Sequence, residues 1–161
     1  MSVYATYWLG AIHSRFAVPA DWRSWADRVI ERSDSPSLWI LELSLTCDMP
    51  EAKKVLLDEL VRSERTITDQ SSYRDAALGY LFWKFDLDRL TFEAFLLEAG
   101  VESDNGRPGI DPEIIYRTLE LYSSAGNAED QKRVIDTARV LFRPNYNIAR
   151  SQWKALGLAD P

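Results

Sequence analysis

Apolar residues recur at helical spacing along the whole of this 161-residue chain, with no convincing run of period-two alternation. Side chains three and four apart share one face of an α-helix, so the pattern predicts an all-α fold. Tyr4, Tyr7, Trp8, Ala11 and Ile12 carry the first apolar stripe. Trp22, Trp25, Ala26, Val29 and Ile30 repeat it after Pro19 and Asp21, which suit a helix start. Ser35 before Pro36 predicts the cap of a third helix reaching about Cys47, and Asp48 with Pro50 and Glu51 the cap of a fourth reaching about Glu64. A polar connection over residues 65–72 precedes a fifth helix carrying Ala76, Leu78, Tyr80, Leu81, Phe82 and Trp83. Asp86 and Asp88 are expected to open a sixth, which Gly100 ends in a left-handed turn. Residues 101–110, with Asn105-Gly106 and Pro108-Gly109, predict the clearest loop. Asp111 and Pro112 open a seventh helix ended by Gly126, Asn127 caps an eighth, and a short ninth runs from Pro144 to Gly157. The expected architecture is a compact antiparallel bundle, or a short stack of helical hairpins, of about eight or nine helices in a single domain over residues 1–161.

Two helices lack a polar face. Leu38, Trp39, Ile40, Leu41, Leu43 and Leu45 make the third almost wholly apolar, and residues 78–85 do the same for the fifth. A helix apolar on all sides is surrounded by others, so both are expected at the centre. The six tryptophans are expected in the core, with one of them left exposed. An ungapped match pairs Leu43, Asp48, Lys53 and Val55 with Tyr122, Asn127, Lys132 and Val134, which suggests either a duplicated hairpin or two helix starts sharing the same capping chemistry.

Composition narrows the function classes. No apolar run reaches the ~18 residues of a membrane span, which argues against a membrane partner. No Lys or Arg precedes the first apolar residues, which argues against a cleaved signal peptide. The single cysteine, Cys47, fits a reducing cytoplasm and is expected to be a small buried apolar residue. The lone histidine, His13, has no neighbouring Cys or second His to complete a metal site, and is expected at a surface or a helix end. Asp86-Leu87-Asp88 and Asp104-Asn105-Gly106 look like fragments of metal loops, yet neither is followed by further ligands at the required spacing. No phosphate-binding glycine loop and no nucleophile elbow occurs. The sequence thus predicts no metal, no cofactor and no catalytic residue.

Charge is unevenly spread. Residues 86–130 hold eleven acids against three bases, whereas residues 132–154 hold six bases against Asp136 alone. Either the two segments lie side by side and neutralise one another, or the acidic one is a surface for a basic partner. The chain's net charge of −6 and its lack of a nucleic-acid motif argue against nucleic acid. The expected partner surface comprises Glu102, Asp104, Asp111 and Glu113, with Tyr116 or Tyr122 as an exposed aromatic anchor.

In size, acidity, tryptophan content and helical character, with the helical hairpin pattern of residues 22–60 as its nearest signature, the chain resembles bacterial immunity proteins of polymorphic or contact-dependent toxin systems. The resemblance implies a non-catalytic protein that binds and neutralises a cognate toxin domain, often a basic nuclease. The alternatives are a structural or adaptor subunit, self-associating through exposed aromatics, and last an enzyme with carboxylates in an interhelical cleft.

Overall fold

The computed structural model describes the backbone of residues 3–63, 67–104 and 109–160, and the side chains of these except 67–72. Eight helices form, and among the described residues there is no strand: α1 (Val3–His13), α2 (Pro19–Glu31), α3 (Leu38–Leu45), α4 (Met49–Arg62), α5 (Ile67–Asp86), α6 (Phe92–Asp104), α7 (Pro112–Ser124) and α8 (Ala128–Ala155). The all-α bundle is thus as the periodicity requires.

Three starts are set by local chemistry. The Asp48 carboxylate accepts the Glu51 N–H at 2.9 Å, Asp111 accepts the Glu113 N–H at 2.9 Å, and the Asn127 side-chain oxygen accepts the Asp130 N–H at 2.9 Å. Each satisfies an amide that the first helical turn leaves without a partner. Two residues before the Asp48 and Asn127 caps, Thr46 and Ala125 are both extended, so the α3–α4 and α7–α8 corners share this backbone conformation as well as the cap.

The core divides into two clusters. Trp8, Trp22, Trp25, Trp39, Leu43 and Leu56 fill the α1–α4 side, and Phe82, Phe92, Phe95, Leu96, Ile115 and Phe142 fill the α6–α7 side. The long helices α5 and α8 run against each other between them. α5 sends Tyr80 and Trp83 to the tryptophan side and Leu78, Leu81 and Phe82 to the phenylalanine side, which is why it needs no polar face. Gly79 sits where α5 meets α8: a Cβ there would lie 2.0 Å from the Asn145 carbonyl oxygen. The Asn145 side-chain amide also donates to the Asp75 carbonyl at 3.2 Å.

Seven expectations are overturned here. Pro144 does not start a ninth helix; it lies inside the 28-residue α8. Proline removes one backbone bond, but Ala138, Phe142, Asn145, Ala149 and Trp153 form one unbroken buried stripe across it, and their packing holds the helix continuous. Gly100 does not end α6. It lies inside the helix beneath Tyr116, whose ring would be 2.6 Å from an added Cβ. Thr91, whose hydroxyl accepts the Ala94 N–H at 3.2 Å, opens α6, whereas Asp86 ends α5 and Asp88 turns the connection at φ +56°. Ser35 caps nothing: α3 starts at Leu38, after Ser37, which makes no side-chain cap bond. Burial of Trp39, Ile40 and Leu43 sets that start. α3 is also not central; it packs chiefly on α2 and α4 and leaves Leu38, Leu41 and Leu45 exposed. Finally, Cys47 is exposed in the α3–α4 corner, and all six tryptophans are buried.

Candidate interaction surface

Two contacts fix α6 antiparallel to α7. Tyr116 covers Gly100 and donates its hydroxyl to Asp104 at 2.6 Å, while Tyr122 meets Phe92 edge-on at a ring separation of 4.8 Å. In that register Glu93, Leu97, Val101 and Asp104 point outward from α6, spaced four, four and three residues apart. Glu113, Ile114, Arg117, Glu120 and Leu121 point outward from α7. The outer faces of the two helices therefore present Glu93, Asp104, Glu113 and Glu120 with one base, Arg117, among exposed apolar side chains. Among the described residues, the carboxylates of Glu93, Glu113 and Glu120 have no ion pair or hydrogen bond.

The six residues expected from sequence fall into three groups. Asp104, Glu113 and Tyr116 lie on or beside this face, and the hydrogen bond to Asp104, which only the neutral hydroxyl can donate, holds Tyr116 above its ordinary pKa. Asp111 lies at the start of α7, where its carboxylate is occupied as the cap. Glu102 and Tyr122 are turned away. The Glu102 side chain is only 12% exposed; it binds His13 Nε2 at 2.7 Å and faces the Arg74 guanidinium at 3.6 Å. Glu102 is also not in a loop, because α6 runs on to Asp104. Tyr122 packs on the phenylalanine cluster as a half-buried ring. The expected turn at Asn105-Gly106, together with Arg107 and Pro108, lies outside the described residues; beyond it the Gly109 N–H donates to Asp75 Oδ1 at 2.9 Å.

Sequence reasoning missed Glu93 and Glu120. The signal lies in the helical period: Glu93 is in phase with Asp104 on one helix, and Glu120 with Glu113 on the other.

The basic helix α8 neutralises part of the acidic stretch, at Asp86, Glu129 and Asp130, but among the described residues makes no ion pair to this surface. Arg133 pairs with Glu129 and Asp130 in its own first turn, and Arg139 reaches Asp136 and, at 3.9 Å, Asp86 at the end of α5. Among the described residues no ion pair joins α8 to α6 or α7. The acids that α6 does commit, Glu98 and Glu102, pair with Lys84, His13 and Arg74 from α5 and α1.

That second cluster borders a cleft of about 370 Å³ between the end of α1, α5 and α6, lined by His13, Arg15, Leu97, Glu98, Val101 and Glu102. Nearby Lys53 is held below its ordinary pKa, mainly by burial and then by repulsion from Arg15. His13 thus lies at a helix end, as expected, but with a partner 89 residues away. Among the described residues no group of three or more His, Cys, Asp or Glu side chains is placed to hold a metal ion. No helix among them is long and apolar enough to cross a membrane. In comparison with known proteins, no family model, no curated protein and no solved structure matches the chain.

Proposed function

We propose that the chain is a non-catalytic protein-binding module: a cytoplasmic, immunity-type inhibitor that binds and neutralises a basic toxin domain. One observation supports this reading above the others. The outer faces of α6 and α7 carry four acids against one base among the described residues, and three of those acids make no ion pair or side-chain hydrogen bond to any of them. A surface with that charge speeds encounter with a basic partner and repels acidic ones. The exposed Leu97, Ile114 and Leu121 supply apolar area that can be desolvated on contact, which charges alone do not provide.

The experiment is a binding and protection assay with basic toxin domains, sought first among the products of the adjacent genes. The expected result is a one-to-one complex and loss of toxicity, both weakened by Glu113→Gln/Glu120→Gln. Absence of a complex with any of these domains contradicts the inhibitor reading.

A further inference from the structure

The most apolar helix of the chain is the one whose leucines are left in water. On α3, Trp39, Ile40 and Leu43 face the core, while Leu38, Leu41 and Leu45 form a second stripe at i, i+3 and i+7. Leu38 is 58% exposed and Leu45 78%. Single exposed leucines are ordinary on protein surfaces, but a continuous row on one helix face is not. Leu45 leads into a groove of about 340 Å³ between α3 and α4, with Val55 in its wall and Glu42, Glu51, Asp58 and Lys54 around it. Leu57 and Val61 extend the apolar exposure along α4. Among the described residues none of Glu42, Glu51 and Asp58 is in an ion pair.

The chemistry of the occupant follows from this arrangement. An apolar row at helical spacing matches the anchor positions of an amphipathic helix laid along it. The rim, three acids to one base, demands that the flanks of that helix be basic. A second copy of this chain does not fit, since apposing two such surfaces brings both sets of acids together. An anionic lipid surface is repelled by the same acids. α3 packs chiefly on α2 and α4, and α7 chiefly on α6 and α8, so this surface lies across the molecule from the α6–α7 face.

We infer that the α3–α4 face is a second docking surface, separate from the α6–α7 face, which takes a basic amphipathic helix from a partner protein. The chain is then two-sided, able to hold one partner at each end.

The test uses two synthetic peptides of identical composition. One places Leu at i, i+3, i+4 and i+7 among Lys residues, and the other shuffles them so that no apolar face forms. The ordered peptide is expected to bind at least about tenfold more tightly than the shuffled one, with amide shifts confined to α3 and α4. Leu38→Glu/Leu45→Glu should remove that preference, as should the charge reversal Glu42→Lys/Asp58→Lys, while Glu113→Gln/Glu120→Gln leaves it intact. All these side chains are partly or fully exposed, so the melting transition checks that each variant is folded. Equal binding of the two peptides overturns the inference, because net charge alone would then explain it. It is also overturned if Leu38→Glu/Leu45→Glu abolishes self-association or binding to anionic vesicles instead, since the occupant would then be a second copy or a lipid surface.

Discussion

The tryptophan-lined and phenylalanine-lined halves of this bundle are built by the same means and turn different faces to solvent. Each has a helical corner capped by Asp48 or Asn127, and each packs on one side of the α5–α8 pair. They differ in what the outside does with charge. In the first half the acids rim an apolar row on α3. In the second, Glu93, Glu113 and Glu120 are spread over two helix faces with no ion pair among the described residues, while α8, close by, pairs Arg133, Arg139 and Arg150 within its own helix or with Asp86 and Asp160. A run of acids in sequence therefore says little about where charge accumulates. Glu102 and Glu113 lie in the same acidic stretch, yet one is clamped between His13 and Arg74 and the other stands free.

The comparison can be broken most decisively in the two cores. Trp39→Ala and Phe95→Ala each truncate a fully buried ring, and each should cost about 3–5 kcal/mol. Because α5 and α8 serve both clusters, each variant should shift one cooperative unfolding transition. Two separate transitions in denaturant melts would mean that the halves fold independently.

The contrast between the acids comes next in size. Glu102→Gln leaves His13 and Arg74 facing a neutral amide in a largely buried setting, and should cost about 1–3 kcal/mol. A loss below about 0.5 kcal/mol would place Glu102 among ordinary surface acids. Asp48→Ala and Asp111→Ala each remove a cap and should cost about 0.5–2 kcal/mol, whereas Ser35→Ala should be silent. The smallest effect belongs to Glu113→Gln/Glu120→Gln, whose melting transition should stay within about 0.5 kcal/mol of the parent.

The helices were legible in the sequence because burial imposes their period, and the Asp48, Asp111 and Asn127 starts because caps are local chemistry. What was not legible depended on tertiary contacts. Gly100 looks like a helix end until Tyr116 is seen packed over it, and Pro144 looks like a break until the buried stripe from Ala138 to Trp153 is seen to cross it. The apolar character of α3 suggested a central helix, but an eight-residue helix packed chiefly on α2 and α4 can bury only one side. The candidate surface was legible only in part: Glu113 is exposed and makes no ion pair among the described residues, whereas Asp104 ends α6 where a loop was expected and Tyr116 is half-buried over Gly100. Glu102 is turned away from it, because its partner His13 lies 89 positions away.

The central claim is that the acids free on α6 and α7 act on a partner and not on the fold. The most direct test is the association rate of the toxin domain found by the binding and protection assay with the parent chain and with Glu113→Gln/Glu120→Gln, at about 20 mM and about 300 mM salt. The account predicts that the variant associates roughly an order of magnitude more slowly at low salt, that the gap closes at high salt, and that dissociation changes little. Equal association rates at low salt, in a complex that does form, would contradict it.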